Sequence, residues 1–446
     1  MAPNATVMQA VEQLNYRVTV GDVAVKAGLD VNIAQRELLN LASEAGGHLQ
    51  VAESGDIAYL FPKNFRDILR DKYLRLQLQE WWGKIWRIVF YLIRISFGLV
   101  LIASLIIIFV SIYLLIIALN SSNNSNSGGE KSEFNFWFFS TSWLDDIFWL
   151  FYWNHEPYSY RQKRQNTSPD ERREMNFFEA VFSFLFGDGN PNLDLEKRRW
   201  KAIAKVIRNN QGAVTAEQIA PYLDNLGKGY ALEYEEYMLP VLAKFDGRPE
   251  VSPQGQIIYH FSELQTTAKK NQSHEIFPYL REYPWRFSEA NSGQILLATG
   301  LGMINFVGAL VLGNLFTKAA TIGKINGLGG FLGFVQSIYP ILLIYGIGFL
   351  TIPLIRYFWI QWRNSKIESK NIERQLRAEV LEKPDKILEE KLNYARKFTA
   401  EKVIEEGDLA YTSEKDLMEQ EIEQTAKIDA EWQRKLNQSS RSNLEI

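Results

Sequence analysis

VAESGDIAYLF, residues 51–61, is written a second time as VSPQGQIIYHF, residues 251–261. Val51/Val251, Gly55/Gly255, Ile57/Ile257, Tyr59/Tyr259 and Phe61/Phe261 hold the same places in the two stretches. Alternating apolar residues on either side of a glycine read as strand, tight turn, strand. Outward from the first stretch, VMQAVEQL is an amphipathic helix and VTVGDVAVKAG a short helix closed by a glycine turn. NIAQRELLNLASEAG is a periodic helix with Ile33, Leu38, Leu41 and Ala45 on its apolar face. Outward from the second, WKAIAKVIRNNQGAVTAEQIAPYLD supplies two helices and LEYEEYMLPVLAKF a third. Val18 and Thr19 answer Val214 and Thr215 at an offset of 196, and four extra residues around GKGY restore an offset of 200 at the hairpin. Helix, helix–turn–helix, hairpin is the winged-helix order. The sequence therefore predicts two winged-helix-like domains, with the paired Ile, Tyr and Phe plugging one face of each hairpin into its helices.

Between and beyond these stretches the chain is written for a membrane. Ile95 to Leu119 is free of charge and longer than the roughly 20 residues that cross a bilayer. Trp81, Trp82 and Trp86 precede it, interleaved with Lys84, Arg87 and Arg94, as anchors at an interface. Two more uncharged runs, 295–316 and 331–355, form a helical hairpin. Ala309/Gly313 and Gly329/Gly333 have the spacing that lets helices approach closely. FNFWFFSTSWLDDIFWLFYW, residues 134–153, is as long as a span but carries Asp145 and Asp146 at its middle. It reads as a re-entrant or transmembrane aromatic segment. Basic clusters at Lys63–Arg75, Arg161–Arg173 and Arg356–Lys366 place their flanks on the cytoplasmic side.

The expected organisation is a first winged-helix-like domain at 1–65, a basic, Trp-rich juxtamembrane helix at 66–94 and a transmembrane helix at 95–119. A polar loop at 120–133 leads to the aromatic segment at 134–153. A basic linker with an interfacial amphipathic helix follows at 154–193, then the second winged-helix-like domain at 194–265 and a connector at 266–294. Transmembrane helices at 295–316 and 331–355 precede a charged helical tail at 356–446. The fold class is an α-helical polytopic membrane protein with two α+β domains.

Composition removes several chemistries. The chain has no cysteine, so disulfides, thiol nucleophiles and thiolate metal sites are excluded. Its four histidines, His48, His155, His260 and His274, form no metalloprotease-type pair. A net charge of −3 gives no global field for nucleic acid. In DGNPNLDLE, residues 188–196, oxygen-bearing residues alternate as in a calcium loop, but Leu193 stands where glycine is needed and Arg199 where the last carboxylate belongs. A turn with Asp194 capping the next helix is the simpler reading. No catalytic residue, cofactor or metal is expected.

DNA recognition needs cations on the candidate helices. The first helix offers Arg36 beside Glu37 and Glu44, and the second offers Glu233, Glu235 and Glu236. These residues, with Leu417 and Trp432 on a partial apolar stripe of the tail, are the candidate partner-binding surface. Gly55, Tyr59, Phe61, Gly255, Tyr259 and Phe261 serve the fold.

FFEAVFSFLFGDGNPNLDLEKRRWKAIAKVI, the winged repeats and the late hairpin with its charged tail together resemble a family of membrane proteins of cyanobacteria and plant chloroplasts. Plant relatives are loosely labelled an iron–sulfur cluster biosynthesis family, yet this chain has no thiolate with which to hold a cluster. The resemblance implies a thylakoid or plasma membrane in a photosynthetic organism. The sequence is thus read as a non-catalytic, membrane-anchored scaffold or assembly factor with soluble domains on the cytoplasmic face. Its expected partners are the bilayer, membrane or peripheral proteins and a further copy of itself. A membrane-tethered transcription regulator and a small transporter using Asp145 and Asp146 are the alternatives.

Overall fold

The computed structural model describes residues 3–72, 74–120, 175–269, 276–322 and 330–422, together with residues 425, 429, 432 and 433. The polar loop, the aromatic segment with Asp145 and Asp146, the basic linker to residue 174, and Gly329 lie outside the described residues. The chain is mostly helical, with small antiparallel sheets and one short parallel strand pair. It divides into two compact units. One comprises residues 1–82, 191–283 and 366–446, the other 83–190 and 284–365.

In the first unit, α1 (Ala5–Gln13) starts at Asn4, whose side chain accepts from the Thr6 N–H. β1 (Arg17–Thr19) runs into α2 (Val20–Ala27) through a capping box. The Thr19 hydroxyl accepts from the Asp22 N–H while the Asp22 carboxylate accepts from the Thr19 N–H. α3 (Val31–Ala45) buries Val31, Ala34, Leu38, Leu41 and Ala45. Ile33, expected on that face, is 40% exposed, because it stands about 100° round the helix from the stripe that begins at Val31 and Ala34. β2 (His48–Ala52) and β3 (Ile57–Leu60) form the hairpin, and α4 (Phe65–Lys72) follows it. Tyr59 and Phe61 are buried, whereas Ile57, expected to join them, is exposed near the hairpin tip.

α5 (Leu74–Asn120) carries the Trp-rich stretch and the charge-free run in one helix. α6 (Phe177–Phe186) is the short apolar helix. The second helix–hairpin module begins with α7 (Leu195–Asn209). Asp194 precedes it without capping it, its carboxylate being turned to Arg198 at 3.0 Å. β4 (Ala213–Val214), α8 (Ala216–Ile219), α9 (Tyr230–Glu233), α10 (Leu239–Phe245), β5 (Arg248–Val251), β6 (Ile257–His260) and β7 (Thr266–Thr267) complete it. The single third helix expected over 232–245 is broken. Glu235 takes a left-handed φ of 53°, and Pro240, which has no N–H and would clash with a carbonyl one turn back, is confined to the first turn of α10.

α11 (Ser292–Thr321) and α12 (Phe331–Glu382) are the late apolar helices, with Pro340 and Pro353 inside α12. The tail departs from a purely helical reading. After α13 (Lys386–Ala395) come β8 (Lys402–Val403) and β9 (Leu409–Thr412). β9 joins the first sheet, whose order is β1-β3-β2-β9, while the second sheet is β4-β6-β5 and β7 pairs with β8 in parallel.

The two modules share backbone detail. Val18 pairs with Tyr59, and Val214 pairs with Tyr259. The Phe61 N–H donates to the Tyr16 carbonyl and the Phe261 N–H to the Gly212 carbonyl, both at 2.8 Å. Gly55 and Gly255 turn their hairpins at φ of 85° and 83°. Gly47 and Gly247 lie so close to the Phe61 and Phe261 rings that an added Cβ would stand 2.9 and 2.3 Å from them. Both modules also contribute to one hydrophobic core, with Val23, Leu38 and Phe61 from the first and Ile203, Ile207 and Phe261 from the second. α2 packs on α7 there, and Asp22 meets Arg208 in a buried ion pair at 3.1 Å.

Among the described residues, and mainly in the second unit, three helices are long and apolar enough to cross a membrane: Trp81–Leu119, Ser292–Thr321 and Phe331–Glu382. Ile108, Leu115, Ala309, Leu312 and Val335 pack at one level, and Leu101, Leu301 and Phe349 at another. α6 packs into the second of these through Val181 and Phe184. The Asn305 side chain donates to the Ser104 hydroxyl in the interior of this bundle.

Candidate functional site

The most developed constellation of charged side chains belongs to the second module. Tyr259, 3% exposed, donates its hydroxyl to Glu235 Oε2 at 2.7 Å. Glu235 Oε1 accepts from Lys391 Nζ at 2.6 Å, and the same ammonium donates to Glu217 Oε1 at 2.8 Å. Lys391 is delivered by α13, whose first turn is capped by the Asp385 carboxylate accepting from the Leu388 N–H. Burial, then the hydrogen bond and charge of Glu235, push the Tyr259 hydroxyl far above the usual tyrosine range. Tyr237 beside it is pushed up by burial and by the charges of Glu235 and Glu217. Both phenols therefore stay protonated near neutral pH, and Tyr259 serves as a donor rather than a base.

A second cluster fastens α12 to the same module. Arg374 is buried and donates to the Leu280 carbonyl at 2.8 Å, to Glu282 Oε1 at 2.6 Å and to Asp224, which Arg199 also holds. The Asn371 amide accepts from the Glu282 N–H and donates to the Glu282 carbonyl, both at 2.9 Å. Burial would raise the Asp224 carboxyl. The Arg374 bond and the charges of Arg199, Arg374 and Lys370 bring it below the usual range. Ile367, Arg374 and Ala378 are buried along one stripe of α12, a helical spacing that a run of charged residues conceals in the sequence.

The first module is closed by backbone instead. The Leu49 N–H donates to Ser413 Oγ, the Ser413 N–H to the Leu49 carbonyl, and the Glu53 N–H to the Asp408 carbonyl, each at 2.9 Å. In the second unit, Ser183, Ser288 and Arg94 gather around the Asp188 carboxylate, with Arg94 at 2.7 Å.

With this geometry in hand, comparison with known proteins places the chain. Over 455 residues it is 38% identical to a chloroplastic protein of Arabidopsis thaliana described as uncharacterized, a match that covers 98% of this chain and 82% of the plant protein. The chain belongs to the family of that plant protein. No protein-family model matches it, and no solved structure matches it either. The family resemblance read from the sequence is thereby upheld for its chloroplast branch.

The sequence-derived candidates fall into three settings in this family member. Arg36 on α3, Glu233 and Glu236 are exposed, as are Leu417 and Trp432 in the tail. Glu235 is turned inward to Tyr259 and Lys391. Gly55 and Gly255 sit in hairpin turns, and Tyr59, Phe61, Tyr259 and Phe261 are buried. Asp145 and Asp146 lie outside the described residues. Beside Glu233, the rings of Tyr230 and Tyr234 stack with centroids 4.1 Å apart, and Leu232 and Leu239 are exposed with them. A single helix over LEYEEYMLPVLAKF gives no sign of this patch, which forms where the helix breaks around Glu235 and Pro240. Among the described residues no group of three metal-ligating side chains comes together.

Proposed function

We propose that this chain is a non-catalytic, membrane-anchored scaffold or assembly factor of a thylakoid or plasma membrane in a photosynthetic organism. Its two winged-helix-like modules make one platform, on the cytoplasmic face, that holds partner proteins. The observation that carries this reading is the exposed patch of Tyr230, Leu232, Tyr234 and Leu239. Rigid aromatic and aliphatic side chains exposed together are what protein interfaces use as anchors. Glu233 and Glu236 flank the patch and would repel a phosphate backbone. Lys244, the cation nearest a recognition helix of the second module, is folded over the Trp200 ring at 4.5 Å. On α3, Arg36 stands between the exposed Ile33 and Leu39. These surfaces favour protein over DNA as the partner. Three helices of spanning length and a chloroplastic relative support the membrane and its type.

Affinity purification of the full chain from membranes in mild detergent tests the reading. A defined set of proteins should co-purify with the wild type and be lost from the combined Tyr230→Ser, Leu232→Ser, Tyr234→Ser variant. Retention of the same proteins by the variant, or sequence-selective binding of duplex DNA by the wild type, would overturn it.

A further inference from the structure

The positions that hold Lys391 in the second module have equivalents in the first, and there the pocket is open. Counted along the two segments, Glu217, Glu235 and Tyr259 correspond to Gly21, Gln35 and Tyr59. Gly21, Gln35 and Tyr59 line one cavity of about 140 Å³. Tyr59 is 3% exposed, and among the described residues its hydroxyl has no hydrogen-bond partner, whereas Tyr259 has Glu235. That hydroxyl opens onto the cavity and is free to bond a polar occupant there.

The carboxylates have moved but the charge remains. A side chain at position 21 has no room, since a Cβ there would stand 2.3 Å from the Glu263 carbonyl oxygen. Asp56, next to the hairpin glycine, and Glu263 line the cavity instead. Asp56 accepts from Ser54 at 2.7 Å and from Thr266 at 3.2 Å, and the half-exposed Lys402 lies 3.7 Å from it. Burial, and after it the negative charges of Asp56 and Asp246, lift the Glu263 carboxyl above its usual range against the opposing charge of Lys402.

We propose that this cavity is a primary-ammonium site, filled by a lysine side chain of a partner protein as Lys391 fills the second. The ammonium has three donors, and the residues that line the cavity, Tyr59, Gln35, Asp56 and Glu263, offer hydroxyl, amide and carboxylate oxygens as acceptors. The protein source of the lysine rests on the scaffold reading, while the chemistry of the pocket stands without it.

The test uses the full-length protein in mild detergent with a fluorotyrosine at position 59 as a fluorine NMR reporter. The probe is N-acetyl-lysine methylamide, and the control is its norleucine analogue. The lysine probe should shift the signal saturably and the norleucine analogue should not. Gln35→Glu should tighten binding about tenfold, the effect of one added charge-assisted hydrogen bond. A reporter at Tyr259 should stay silent until Lys391→Met empties its pocket. An unmoved signal at position 59, an equal response to norleucine, or a response to potassium or calcium chloride in place of lysine would overturn the proposal. The wild-type reporter decides this even if a variant misfolds. Failure here, with partners still recovered by affinity purification, removes the lysine site and leaves the scaffold.

Discussion

In the first module the outer edge of β2 carries β9; in the second, among the described residues, the outer edge of β5 carries no further strand. The hairpins share their registers, so the difference lies in the residues along the edge. Leu49 and Glu53 point their N–H groups outward to the tail. At the corresponding places the second hairpin has Pro249 and Pro253. Proline has no N–H, so a strand edge built on it cannot receive a partner strand at those points. The second module is closed by a side chain, Lys391, seated between two carboxylates. One backbone plan thus takes two kinds of cover, decided by a few residues whose effect is local.

The largest test of that comparison concerns the core the modules share. Phe61 and Phe261 are both buried in one continuous cluster. Either change to Ala should cost about 3–5 kcal/mol. Because the cluster is common, amide hydrogen exchange should show both hairpins losing protection together. A variant in which one hairpin opens while the other stays protected would mean that the modules are independent after all.

Much of this plan was legible in the sequence. The glycine, tyrosine and phenylalanine of each hairpin announce strand, turn and buried face. The apolar helices announce themselves by length. β9 was hidden because LAYT is a four-residue stretch in an acidic run, and its stabilising partner is a backbone edge more than 350 residues away. Local periodicity carries no trace of such a pairing. Gln420 completes that edge: its amide accepts from the Thr412 N–H at 2.8 Å and donates to the Thr412 carbonyl at 2.7 Å. Glu235 was visible as an acid but not as an inward-facing one, since the break at Pro240 and the left-handed turn reorient it. Arg374 was hidden for a different reason: its partners, Asp224, Leu280 and Glu282, come from segments that only the tertiary fold brings to α12.

An intermediate effect separates the two tyrosines. Tyr259→Phe removes a hydroxyl that donates to a carboxylate and leaves Glu235 with one partner fewer. It should cost about 1–2 kcal/mol in a thermal or denaturant melt. Tyr59→Phe removes a hydroxyl without a partner and should be neutral or slightly stabilising. Equal losses at the two positions would show that the Tyr59 hydroxyl is bonded in solution, and the contrast between filled and open pockets would fall.

The last test makes the bare β5 edge able to pair. Pro249→Leu with Pro253→Glu gives the second hairpin the residues of the first. Removing two prolines from an exposed strand frees the unfolded chain and should cost only about 0.5–1 kcal/mol each. The consequence to measure is association. β5 would then present outward N–H groups along a strand that is already exposed over its whole length. Among the described residues no second strand like β9 covers it, so the variant should pair edge to edge with another copy. Light scattering on the detergent-solubilised protein should give a larger mass for the variant than for the wild type, and the excess should disappear when Lys replaces Glu250 and Val251 as well. If the variant keeps the wild-type mass at every concentration, the prolines are not what keeps that edge bare, and the difference between the modules must be sought in α13, whose Tyr394 hydroxyl already reaches the Val251 carbonyl.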